Sequence, residues 1–130
     1  MPEVSDLEVL QGFDSGNRPL LRKAEDIPTV RQLLTHTSGY VFEIWNENAS
    51  RNVTNRGIDS LFADGGNGMS APLSFCLGER WEYGIGIDWA GKIIEEISGK
   101  SLDVYFYDHI FSQIGMIDTF YEVPEEKLSR

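Results

Sequence analysis

Apolar residues recur at helical spacing in the C-terminal third of the chain. The first stripe consists of Ile87, Ala90, Ile94 and Ile97. It ends at Ser98-Gly99, where glycine favours the left-handed turn that closes a helix. The second stripe consists of Leu102, Tyr105, Phe106, Ile110 and Phe111. This pattern predicts a second helix that begins after Ser101 as its cap and ends at Gly115.

The N-terminal third predicts a hairpin followed by a short helix. Residues 1–28 have an extended pattern, broken at 14–17 by the turn-forming run DSGN. Thr29 is placed to cap a helix whose apolar positions are Val30, Leu33 and Leu34. We expect this helix to stop at residues 37–39, with His36 in its last turn.

Residues 40–80 form a long loop region in this interpretation. Residues 46–55 are polar and predict no element, and the run 64–68 (DGGNG) is a flexible breaker. Ile58, Leu61 and Phe62 allow one or two helical turns. Residues 116–123 are expected to be a short extended tail. The pattern therefore predicts a mainly α fold with short extended segments.

Charge and composition exclude several classes of partner. The 130 residues suffice for one domain and carry a net charge of −10, which argues against binding nucleic acid or an anionic membrane surface. No apolar run approaches the roughly 18 residues of a membrane helix. The first residues lack a signal-peptide pattern, which favours a cytoplasmic location. A single cysteine, Cys76, excludes an internal disulfide framework.

Common catalytic and cofactor motifs are missing from the 130 residues. Gly84-Ile85-Gly86 lacks the third glycine of a phosphate loop, and neither His36 nor His109 has metal-ligand spacing around it. No serine lies in Gly-x-Ser-x-Gly or is followed by lysine three positions later. We therefore predict neither a metal nor a cofactor.

Three segments nevertheless resemble the serine β-lactamase and penicillin-binding-protein superfamily. They are 29–39 (TVRQLLTHTSG), 78–86 (GERWEYGIG) and the run from 98 to 119 (SGKSLDVYFYDHIFSQIGMIDT). Their order and spacing resemble those of the matching motifs in the branch of class C β-lactamases and related carboxylesterases. This resemblance implies the helical region of the α/β β-lactamase-like fold.

The resemblance also implies the site residues. Tyr83 matches the family tyrosine that helps to move the proton of the nucleophilic serine, and its alternative role is that of an aromatic core residue. Trp81 and Ile85 are predicted to contact the substrate beside it. The β-lactamases usually have asparagine where this chain has Ile85, which favours ester over β-lactam hydrolysis. Leu77 stands in place of a family proline.

The same resemblance places the Ser-x-x-Lys nucleophile before residue 1 and a wall-forming strand after residue 130. We therefore expect residues 1–130 to be a single partial domain of a serine hydrolase, inactive alone, whose completed site acts on a small-molecule ester or amide. The alternative is a non-catalytic acidic helical module that binds partners or self-associates through exposed apolar surface.

Overall fold

The helices and strands occupy two compact units of the chain. The computed structural model describes residues 6–57 and 71–128. One unit comprises Met1–Ala90 and the other Gly91–Arg130. The elements are β1 (Glu8–Phe13), β2 (Pro19–Lys23), α1 (Val30–Leu34), α2 (Glu47–Arg56), α3 (Gly86–Ser98), α4 (Leu102–Phe106), a π-helical turn (Tyr107–Phe111), α5 (Ser112–Ile114) and a 3-10 turn (Glu125–Lys127). In the described ranges the strands form one two-stranded sheet, so the architecture is mainly helical, as predicted.

The hairpin predicted around residues 14–17 is confirmed. β1 and β2 pair in antiparallel fashion, with a bulge between Leu10 and Gly12. The Oδ1 atom of Asp14 accepts hydrogen bonds from the backbone N–H groups of Gly16 at 2.8 Å and Arg18 at 2.9 Å. The Asp14 side chain thus organises the turn by bonding its own backbone.

Helix α1 begins as predicted and ends earlier than predicted. The Thr29 hydroxyl accepts the Gln32 amide at 3.2 Å, and the Gln32 side chain accepts the Thr29 amide at 2.9 Å, which is a capping box. The helix stops at Leu34, because the chain turns sharply at His36, whose φ is +54°. The expectation that His36 lies in the last helical turn is therefore wrong.

Helix α2 corrects the interpretation of residues 46–55 as loop. The side chain of Asn46 accepts the Ala49 amide at 2.9 Å and caps the helix, and Gly57 closes it at φ +66°. Only Ala49, Asn52 and Val53 are buried. Because valine is the one large apolar residue among these three, the helix has no wide apolar stripe for a sequence pattern to detect. Residues 58 to 70, with the predicted turns and breaker, lie outside the described residues.

The core of the first unit is built around the hairpin and the segment after residue 70. Leu73 pairs with β1, donating its amide to Glu8 O and accepting the Leu10 amide, both at 2.8 Å. Trp89 and Leu73 are almost fully buried. The buried apolar side chains of this unit include Leu7, Val9, Leu10, Leu33, Tyr40, Val41, Phe42, Leu73, Phe75, Ile85 and Trp89.

The second unit contains the end of α3 and the helical segment after it. Gly99 closes α3 at φ +68°, as predicted. Ser101 is the cap residue of α4, but its side chain makes no capping bond. The Glu95 carboxylate accepts the Leu102 amide at 2.8 Å instead. Residues 116–123 contain turns rather than the expected extended tail. None of the described helices is long and apolar enough to cross a bilayer.

Candidate functional site

An extended segment, residues 81–84, precedes α3 and is held by backbone hydrogen bonds on both sides of Tyr83. The Glu82 amide donates to the His36 carbonyl oxygen at 3.0 Å. The Tyr83 carbonyl oxygen accepts the Phe42 amide at 3.4 Å. These contacts fix the tyrosine backbone against the turn that follows α1.

Two glycines let this segment approach its neighbours closely. A Cβ atom on Gly84 would lie 2.1 Å from the Tyr40 carbonyl oxygen, and one on Gly86 would lie 2.4 Å from the Leu33 carbonyl oxygen. Any side chain at either position would displace backbone. The Gly84-Ile85-Gly86 run therefore serves close packing behind Tyr83.

Four aromatic side chains form what we call the aromatic face: His36, Phe42, Trp81 and Tyr83. The Tyr83 ring lies 4.7 Å from the His36 ring and 5.4 Å from the Phe42 ring, measured between centroids. The Trp81 ring meets the His36 ring edge-on at 6.1 Å. Tyr83 is 48% exposed and Trp81 is 65% exposed. Tyr83 is thus supported on its inner side and open on its outer side.

Ile85 is not brought together with Tyr83 and Trp81. Its side chain is only 5% exposed. It lines a cavity of about 10 Å³ with Leu10, Tyr40 and Val41, inside the first unit. Residues 83 and 85 would share a side of a regular extended strand, but the chain turns at Ile85, immediately before α3 begins, and this residue is buried there.

Glu82 anchors the segment to the start of α2. Its Oε1 accepts the Asn46 side-chain amide at 2.6 Å, and its Oε2 accepts Arg80 Nε at 3.3 Å. Asn46 also caps α2 through its carbonyl oxygen, so one amide side chain joins the helix to the site. Sequence reasoning missed this link, because 36 residues separate its two partners.

His36 is the second residue whose place in the site sequence reasoning missed. Its Nδ1 accepts the Gly84 amide at 3.4 Å, a long hydrogen bond, and its ring contacts both Trp81 and Tyr83. It lies within the segment 29–39 that carries the family resemblance. Its place in that segment was the sequence signal for a role in the site. The position of His36 near the end of α1 concealed this signal.

Tyr40 and Tyr83 have very different surroundings. Burial raises the pKa of the Tyr40 phenol far above its ordinary value of 10.0, so this hydroxyl stays protonated. Tyr40 stacks on Trp89 at 5.6 Å, inside the core. Tyr83 is the exposed one of the two, and its side chain is accessible to solvent. Within residues 6–57 and 71–128, no three His, Cys, Asp or Glu side chains are grouped to hold a metal ion.

Known proteins resemble this chain over most of its length. The family model described as Beta-lactamase matches residues 11–130. The ML-236A carboxylate methylbutanoyltransferase of Penicillium citrinum is 32% identical, over 96% of this chain and 30% of that protein. The lovastatin esterase of Penicillium rubens is 31% identical, over 98% of this chain and 33% of that protein. The chain thus spans about a third of the length of these relatives.

Comparison with solved structures also relates the chain to proteins of this kind. A simvastatin synthase mutant from Aspergillus terreus superposes with a TM-score of 0.77 and 34% identity, over 89% of this chain and 26% of that one. The predicted fold class, the helical region of a β-lactamase-like fold, is confirmed by this likeness. The resemblance inferred from the three segments is confirmed as well. The chain belongs to the beta-lactamase family.

Proposed function

We propose that this chain supplies the tyrosine-bearing wall of a serine hydrolase or acyltransferase site that acts on small-molecule esters. The observation that carries the proposal is the setting of Tyr83. Its ring rests on His36 and Phe42, its backbone is bonded on both sides, and about half of its side chain is open to solvent. Other tyrosines such as Tyr107 are also exposed, but Tyr83 combines its exposure with ring supports and a hydrogen-bonded backbone that hold it in a defined position.

The chemistry assigned to Tyr83 is proton transfer. As the serine Oγ attacks the ester carbonyl carbon, the Tyr83 oxygen accepts the serine proton and gives its own phenolic proton to the neutral amine of the lysine in Ser-x-x-Lys. When the ester C–O bond breaks, a proton returns from this amine through Tyr83 to the departing alcohol oxygen. A second acceptor, water or another alcohol, reverses these steps to release the acyl group. None of the serines among the 130 residues is followed by lysine three positions later. We therefore propose that the chain is inactive without a partner segment that supplies Ser-x-x-Lys.

The choice of esters over amides rests on Ile85 and on the relatives. An isoleucine side chain offers no hydrogen bond to a substrate amide, and this one is buried away from the aromatic face. The substrate-binding role predicted for Ile85 thus reduces to the apolar support of the segment. Trp81 remains the proposed substrate contact, because its exposed ring flanks Tyr83 on the same face.

A chimera tests the proposal. Residues 11–130 would replace the matching segment of the Penicillium rubens esterase, and hydrolysis of a p-nitrophenyl ester would be followed by absorbance. We expect the chimera to hydrolyse the ester, the free chain to leave it intact, and Tyr83→Phe to lower kcat by about 10² or more. Tyr107→Phe, at an exposed tyrosine of the second unit, is the matched control and is expected to keep full activity. Full activity in the Tyr83→Phe chimera would refute the proposal.

The second candidate function is self-association without catalysis. Ile97 and Ile117 of the second unit are 82% and 76% exposed, and burial of such side chains between copies is favourable. If this function is the right one, sedimentation velocity will show mass increasing with concentration, and Ile97→Lys will abolish the increase. A monomer at every concentration would rule it out.

A further inference from the structure

We propose that His36 is a positioning residue for Tyr83, an inference that rests on the proposed function. His36 holds the residues on both sides of the tyrosine. Its carbonyl oxygen accepts the Glu82 amide at 3.0 Å, and its Nδ1 accepts the Gly84 amide at 3.4 Å. Between these two contacts, its ring lies 4.7 Å from the Tyr83 ring. One residue therefore fixes the backbone and the ring of the tyrosine together.

The backbone of His36 supports a functional reading. Its φ of +54° lies in the left-handed region, which is unfavourable for a residue with a Cβ atom. Glycine would occupy this position without that cost. The left-handed turn aims the imidazole at Gly84 and Tyr83 rather than along α1. Strain retained beside a proposed reacting group points to a role for the side chain.

The hydrogen bond also sets which imidazole nitrogen carries the proton in neutral His36. Because Nδ1 accepts the Gly84 amide, the ring proton of neutral His36 lies on Nε2. A side chain with an acceptor at the Nδ1 position can replace this contact. The Oδ1 atom of asparagine lies at a similar distance from its Cα, and asparagine tolerates the left-handed region. Asparagine is therefore the conservative replacement and glycine the deletion.

The test compares His36→Gly and His36→Asn in the active chimera. We expect His36→Gly to lower kcat by roughly 10- to 100-fold with KM changed less than twofold, because misplacement affects the reacting geometry. His36→Asn should recover kcat to within about fivefold of the parent. In the Tyr83→Phe background, His36→Gly should cause no further loss, since it acts through that tyrosine. His109→Asn, at the other histidine, is the control.

The outcomes separate this inference from the proposed function. Full activity of Tyr83→Phe refutes the proposed function. Loss of activity in Tyr83→Phe with full kcat in His36→Gly refutes the positioning role alone, as does an equal further loss in the Tyr83→Phe background. Amide hydrogen exchange in the chain itself gives a readout besides activity. Exchange at Gly84 should be faster in His36→Gly and return toward the parent rate in His36→Asn, and an unchanged rate in His36→Gly would overturn the inference.

Discussion

Replacement of Gly84 by alanine tests the packing that holds Tyr83 in place. The added Cβ would meet the Tyr40 carbonyl oxygen at 2.1 Å and the Val41 Cα at 2.5 Å. These distances lie well inside the 3.0 Å below which Cβ contacts are essentially never seen. Overpacking a core typically costs 1–3 kcal/mol. Because the obstructing atoms are backbone, which cannot move aside as a side chain can, we expect a loss of about 3 kcal/mol.

Urea unfolding followed by tryptophan fluorescence measures this loss. At a slope of about 1.5 kcal/mol per molar urea, the midpoint should fall by about 2 M. Gly57→Ala is the control. Gly57 lies in the first unit, as Gly84 does, but an added Cβ there would have nothing within 4 Å, and its φ is +66°. It should lose only the conformational cost of about 1 kcal/mol. Equal losses in the two variants would refute the close approach at Gly84.

Two further stability predictions concern side chains that organise the first unit. Asn46→Ala should lower the free energy of unfolding in urea by about 1–2 kcal/mol, because it removes both the α2 cap and the Glu82 hydrogen bond. Asn48→Ala, at an exposed position of α2, is the control and should change this free energy by less than about 0.5 kcal/mol. Equal effects of the two substitutions would contradict the link between α2 and Glu82. The backbone amide of Arg18 is the main group that holds the Asp14 pKa below its ordinary 3.8. A carboxylate whose pKa is lower in the folded state than in the unfolded state stabilises the fold above about pH 4, and this stabilisation is lost as the pH falls and the group is protonated. The stability difference between the parent and Asp14→Ala should therefore shrink from pH 7 to pH 3, and a constant difference would refute the role of the charge.

Local chemistry allowed much of the fold to be predicted. The turn at Asp14, the Thr29 cap and the closure of α3 at Gly99 each depend on residues close in sequence, and each was predicted. Helix α2 was missed because its buried positions carry alanine, asparagine and valine rather than a wide apolar stripe.

The site was less accessible to such reasoning. Composition and spacing alone favoured a core role for Tyr83, and only its resemblance to a family motif gave it a chemical one. The supports of Tyr83 come from residues more than 40 positions away, His36 and Phe42, through contacts that no local pattern encodes. The role of His36 was hidden as well, because the helix dipole alone is enough to explain a histidine at the end of a helix.

The rate of acyl-enzyme formation tests the role of Tyr83 most directly. The chimera would be mixed with excess p-nitrophenyl ester and quenched at intervals, and intact-protein mass spectrometry would measure the fraction that carries the acyl group. Tyr83→Phe should slow acylation by 10² to 10⁴, the usual contribution of a proton-transferring group, while Tyr107→Phe leaves the rate unchanged. Equal acylation rates in the parent and Tyr83→Phe chimeras would contradict the assignment of Tyr83 as the proton-transferring residue.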